Sequence, residues 1–234
     1  MIGLIVPPAA GDVPPEAGWM FPGTRFAAKG LGLGQMSAEG FAGVGDRILP
    51  AAQALVAEGA EALSVMGTSL SFYRGAAFDR ALSDRIARET GRPATTMAQA
   101  ILRAMRGCEM SRVTVLTAYR DDVNDLLRAY LEEAGIEVLA LRSLDIRDIA
   151  AVHRVTADEI LPEARAACAA ALSTDGLLIS CGGLPMADVT PQMRRTLPVV
   201  SSAEAGIWDA VRLINPDLAG PAEDCFGPRT SADT

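Results

Sequence analysis

The 234-residue chain has a single histidine, His153, and four cysteines, Cys108, Cys168, Cys181 and Cys225, with no C-x-x-C pair among them. One imidazole cannot build a His-rich zinc or iron site, and any Ser-His-Asp or Cys-His set would have to use His153. Its charged neighbours read as a surface or rim position rather than as that of a base. Disulfide staples are not expected in a chain of this length. Long apolar runs are missing as well, each being broken by Gly, Pro or charge before it could span a membrane. So is any basic excess: 21 Lys and Arg stand against 29 Asp and Glu, a net charge of -8. A nucleic-acid partner, which needs a basic stripe, is therefore not expected. The start of the chain lacks the basic region, apolar stretch and cleavage site of a signal peptide, so the expected location is the cytoplasm.

What the chain does have is a hydrophobic half, enough for a large core. Short apolar runs alternate with segments of helical period, the pattern of a parallel sheet covered by helices on both faces. The clearest strands are 3–6, 62–66, 113–116, 137–140, 176–180 and 198–200. Ser37 caps a predicted helix that stops at Gly59, and a stripe from Val123 to Leu131 ends at Gly135. Thr156 and Glu159 form a capping box ahead of an alanine-rich helix over about 158–172. The expected division is a first α/β half at 1–110, completed by a last helix at about 203–215, and a second half at 111–202. The segment 216–234, rich in Gly, Pro, Ser and Asp, reads as a poorly ordered tail.

The halves echo each other. One strand runs into Gly67-Thr68-Ser69 and another into Cys181-Gly182-Gly183. In open parallel sheets ligands bind beyond the carboxyl ends of strands, which also include Pro7-Pro8 and Thr117-Ala118-Tyr119 here. Small residues let backbone N–H groups approach a bound oxygen, and the hydroxyls of Thr68, Ser69 and Tyr119 add donors. Such a set suits a carboxylate and its enediolate. Cys181 is either a proton donor to a carbanion-like carbon or a small buried hydrophobe at a strand end, and residue chemistry alone leaves both open. Cys168 reads as core, while Cys108 and Cys225 read as incidental. The Gly30, Gly32 and Gly34 run lacks G-x-G-x-x-G spacing and a strong preceding strand, and reads as a mobile flap or loop. Phe72-Tyr73-Arg74 could line a cleft or form a packed aromatic corner.

Ile5 to Gly11, Gly30 to Gly34, Met66 to Phe78, Thr117 to Tyr119, Ser180 to Leu184 and Trp208 to Leu213 together resemble the arylmalonate decarboxylases. More distantly the chain is similar to maleate isomerase, hydantoin racemase and aspartate/glutamate racemase. The resemblance implies an α/β fold of two pseudo-symmetric Rossmann-like halves, each a parallel four-stranded sheet flanked by helices, with the active site in the cleft between them. It implies stereospecific decarboxylation of a disubstituted malonate, a small dicarboxylate, without a cofactor. Thr68, Ser69, Tyr119, Cys181 and Gly182 would hold the retained carboxylate, and Cys181 would protonate one face of the enediolate. Pro7, Leu33, Met36, Ile149 and Val152 would line an apolar pocket for the departing carboxylate, with Pro8 and Gly67 on the aryl side.

Racemases and isomerases of this fold use two cysteines, one from each half. Here Gly67 occupies the first-half position, so one thiol can protonate from one side only. The alternatives are an isomerase or racemase of a related small acid, and a non-catalytic carboxylate-binding module. A monomer or small homo-oligomer is expected.

Overall fold

In a computed structural model, residues 1–146 and 148–229 are described, apart from the side chain of Ile149. The first half contains β1 (Ile2–Val6), α1 (Pro15–Met20), β2 (Phe26–Gly30), α2 (Ala38–Ala57) and β3 (Ala62–Val65). It continues through α3 (Thr68–Phe72), α4 (Gly75–Thr90), β4 (Ala94–Thr96) and α5 (Met97–Gly107). The second half contains β5 (Arg112–Thr117), α6 (Asp121–Glu133), β6 (Glu137–Ser143), α7 (Ile149–Val152) and α8 (Ala157–Ala169). Then come β7 (Gly176–Ser180), α9 (Thr190–Met193), β8 (Val199–Ser201), α10 (Ser202–Arg212), α11 (Pro216–Ala219) and α12 (Ala222–Phe226).

Two four-stranded parallel sheets result, in the orders β2-β1-β3-β4 and β6-β5-β7-β8. The orders are identical once β1 is matched with β5, which is the expected pseudo-symmetry. β1, β3 and β7 are buried along their whole length, as continuous apolar strands covered on both faces must be. All six predicted strands fall on observed ones. The helix ends also follow their signals. Ser37 Oγ accepts from Gly40 N at 3.2 Å, and the Thr156–Glu159 capping box is present. Gly59 and Gly135 adopt positive φ of 98° and 81° beyond their helices, a backbone state that glycine reaches without Cβ strain.

Two expectations need correction. β2 does precede the glycine run, but as a half-exposed edge strand with a weak apolar signal. The run itself leaves the strand as a loop beside β1, with Leu31 N donating to Val6 O at 2.9 Å and Leu33 N to Pro7 O at 2.8 Å. The segment after Pro216 carries two short helices, α11 and α12, and packs on the core through Ala219, Ala222 and Phe226. Phe226 is fully buried and meets Trp208 edge-on at 5.6 Å, and Trp208 Nε1 donates to Gly220 O at 3.2 Å. Two aromatic rings thus supply the burial that the Gly/Pro-rich composition conceals. Residues 230–234 of the expected tail lie outside the described residues.

β4 runs straight into α5, and β8 straight into α10. These two equivalent helices pack on each other along the seam between halves, and α10 also packs against β3 and β4. Their closeness depends on small residues: a β-carbon on Gly206 would stand 2.8 Å from Met66 Sδ.

Candidate active site

Four strand ends meet around one cavity of about 460 Å³. From the end of β1 come Pro7 and Pro8, with Leu33 and Met36 from the loop after β2. A β-carbon at Gly30 would lie 2.3 Å from Pro8 O, so only glycine permits that loop to close over β1. Across the mouth, Gln35 and Asp148 form an isolated antiparallel bridge between the halves. From β3 come Gly67, Thr68 and Ser69. The last two open the short α3, in whose first turn backbone N–H groups lack intrahelical acceptors. Ser71 Oγ donates to Gly67 O at 2.7 Å and fixes that turn.

β5 delivers Tyr119, whose ring is buried against Phe72 at 6.0 Å. That contact makes Phe72 part of a packed aromatic corner. The main-chain carbonyl of Tyr119 accepts from Asn124 Nδ2 at 3.2 Å and from Ser143 Oγ. Its hydroxyl lies 3.3 Å from Ser180 Oγ. Burial, and then the neighbouring Cys181, push its pKa up, while hydrogen bonds to Ser180, Thr68 and Ser69 work the other way. Tyr119 therefore keeps its proton and remains a donor.

β7 ends in Cys181, with Gly182 and Gly183 behind it. Burial pushes the Cys181 thiol up to about 11, only partly opposed by the Gly183 N–H. Burial raises the other three cysteines too, so acidity does not single Cys181 out. Position does: it is the cysteine that lines the cavity. Cys168 is half-buried, 3.7 Å from Thr114 Oγ1.

Of the residues expected at the site, Pro7, Pro8, Leu33, Met36, Gly67 and Thr68 all line this cavity. Ser69, Tyr119, Val152, Cys181 and Gly182 line it too. Ile149 opens α7, and its side chain lies outside the described part of the structure. His153 is an exposed rim residue, its Cε1 3.3 Å from where a β-carbon on Gly183 would be.

Among the wall residues that sequence reasoning missed, Met97 and Glu16 bear most on the chemistry. Met97 begins α5, accepts from Thr68 Oγ1 at 2.8 Å through its Sδ, and presses on Gly182. Glu16, in α1, is only 3% exposed although it borders the cavity. Burial above all, with repulsion from Glu204, pushes its carboxyl up to about 7 against two backbone N–H contacts, its own and that of Met186. Nothing in Pro14-Pro15-Glu16 distinguishes a buried acid from a solvated first-turn one. Among the described residues, no Lys or Arg lines the cavity and no group of His, Cys, Asp and Glu could hold a metal ion.

The family model for arylmalonate decarboxylase matches residues 2–226. The chain belongs to the arylmalonate decarboxylase family. It is 46% identical over 214 residues to the arylmalonate decarboxylase of Bordetella bronchiseptica, covering 91% of this chain and 89% of that one. A double mutant of arylmalonate decarboxylase, solved in a liganded form, superposes with a TM-score of 0.90 at 44% identity, over 92% of this chain and 93% of the other. Maleate cis-trans isomerase of Nocardia farcinica, bound to TRIS, shares the fold at a TM-score of 0.82 and 21% identity, over 92% of each chain. Membership of the arylmalonate decarboxylase family places the chain among the carboxy-lyases.

Proposed function

We propose that the chain decarboxylates disubstituted arylmalonates to single enantiomers of 2-aryl acids, with Cys181 as the proton donor. One observation carries the reading. Gly67 and Cys181 occupy equivalent strand ends of the two halves on one cavity, and only the second bears an acid.

In the proposed cycle the retained carboxylate binds the Thr68 and Ser69 hydroxyls, the Tyr119 hydroxyl and the N–H groups of these turns. The other carboxylate lies against Pro7, Leu33, Met36 and Val152, where it loses hydration without gaining a cation. The C–C bond to that carboxylate breaks, CO2 leaves, and the electron pair passes into an enediolate. Neutral, fixed donors stabilise the new charge more than the charge it replaces. The Cys181 S–H then gives its proton to the α-carbon. The resulting thiolate, the conjugate base of a thiol at about 11, recovers a proton from water. High thiol pKa suits this role, because the resting group must carry the proton.

The test is incubation with phenylmalonate and 2-methyl-2-phenylmalonate without added metal, following CO2 release and product chirality. Enantiopure 2-phenylpropionate from wild type and loss of turnover in Cys181→Ala are expected. Undiminished turnover by that variant, or a racemic product, would overturn the assignment.

A further inference from the structure

Glu16 is a carboxyl on the cavity wall to which the cycle above gives no part. Arg194, the cation paired with the neighbouring Glu204, is already committed. Its Nη2 binds Glu204 Oε2 at 2.6 Å and Val199 O at 3.0 Å, and its Nη1 binds Glu204 Oε1 at 3.2 Å. Glu204 also accepts from Ser201 Oγ at 2.6 Å and Thr190 Oγ1 at 2.9 Å, and is fully buried. From α10, then, a carboxylate faces Glu16, and from the loop before α9 only the Met186 N–H helps it. The other titratable groups on the described wall are Cys181 and Tyr119 inside and Asp12 and His153 at the exposed mouth.

We propose that the protonated Glu16 carboxyl is part of the substrate site, and that a dianionic substrate binds only when that proton is in place. The inference rests on the cavity being the malonate site. A dianion entering a pocket that already holds ionised Glu16 would add two charges beside a third, in surroundings too dry to screen them. A neutral carboxyl removes that repulsion and offers an O–H donor. Because burial sets the free-enzyme group near 7, either form is accessible at neutral pH. Linkage then requires the reciprocal effect: the dianion raises the proton affinity of Glu16 and takes up a proton as it binds.

Calorimetric titration with 2-phenylsuccinate tests this. It is an aryl dicarboxylate dianion without geminal carboxylates, so it binds without losing CO2. Measurements at pH 5.5 and 8 in buffers of different ionisation heat give the protons taken up. Expected for wild type, once the ligand's own ionisation is titrated separately and subtracted, are an uptake near one proton at pH 8, almost none at pH 5.5, and an affinity falling up to about tenfold per pH unit above about 7. Glu16→Gln should abolish both effects, whereas His153→Gln should retain them. No binding, no uptake by wild type, or uptake lost in His153→Gln but kept in Glu16→Gln would overturn the proposal. Should Glu16→Gln fail to fold, the wild-type uptake midpoint and the His153→Gln result still decide it. Failure of the decarboxylase reading appears separately, as absence of CO2 in the turnover assay.

Discussion

Thr68 Oγ1 donates to Met97 Sδ at 2.8 Å, so in the empty cavity a hydroxyl proposed to bind the substrate carboxylate gives its one proton to a thioether of α5 and must turn from it to the substrate on binding. The same methionine carries its methyl group to 2.8 Å from where a β-carbon on Gly182 would stand. One flexible side chain thus spaces the two carboxylate-binding turns.

Met97→Leu should keep most of the volume and cost less than about 1.5 kcal/mol of stability, while removing the acceptor that competes for the Thr68 proton. A KM for phenylmalonate that is unchanged or lowered, with near-native urea unfolding, is the expected combination. Met97→Ala should cost about 2–5 kcal/mol by leaving a cavity. Equal stability losses in both variants would show that spacing is not the role of this side chain.

Gly67→Cys would put an acid on the opposite face of the reacting carbon. Its β-carbon would meet Leu70 Cβ at 3.0 Å and Pro7 Cγ at 3.1 Å, so the neighbours must yield by a few tenths of an ångström. A stability loss of about 1–3 kcal/mol is expected. Deuterium from solvent should enter the α-carbon of both enantiomers of a 2-aryl acid. Exchange unchanged from wild type would argue against the two faces being served from these strand ends.

Cys181 should react slowly with iodoacetamide at pH 7.5. With its pKa pushed from 9.0 to about 11, it holds about a hundredfold less thiolate than an ordinary thiol. The modification rate, followed by peptide mapping, should climb about tenfold per pH unit from 7 to 10. A plateau near pH 8 would mean a far more acidic group.

Glu16 should make stability depend on pH. Its folded pKa, about 7, lies above the 4.5 of the ordinary carboxyl, so the folded state holds the proton more tightly. Below 4.5 the group is protonated in both states and contributes nothing. Stability falls as pH rises through this window, and above about 7 the full penalty, about 3 kcal/mol, applies. Glu16→Gln should therefore unfold later than wild type in urea at pH 8 and alongside it at pH 4. A variant less stable at pH 8 would contradict the sign.

Phe226→Ala should destabilise by about 3–5 kcal/mol, since the ring is fully buried against Trp208 and beneath the Arg194 guanidinium at 5.5 Å. A thermal melt checks it. A change below about 1 kcal/mol would mean that the last helix hardly contributes to the fold.

The first and second halves were readable wherever burial on both sheet faces produced continuous apolar runs, as in 3–6 and 176–180. β4 was not, because Ala94-Thr95-Thr96 is polar by composition. Its hydroxyls are consumed inside, Thr95 Oγ1 donating to Asp209 and Thr96 Oγ1 to Asp79, each at 2.5 Å. Long-range partners of that kind leave no local trace. At the site, the glycines and hydroxyls after strands stood out because ligand approach needs small residues there. Met97 and Glu16 did not, since a methionine and an acid at helix starts have common local explanations. Their importance lies in what the fold brings against them.

The way α5 and α10 emerge from β4 and β8 without a linker, then clasp each other across the seam, bears on traffic through the cavity. A hinge opening would have to part these two helices and draw α10 away from β3 and β4, dismantling core as it went. Substrate and product are then expected to pass through the exposed rim, where Asp12 and His153 lie. On that account the two sheets and the clasped helices stay fixed through turnover, and any motion is confined to the loops at the rim.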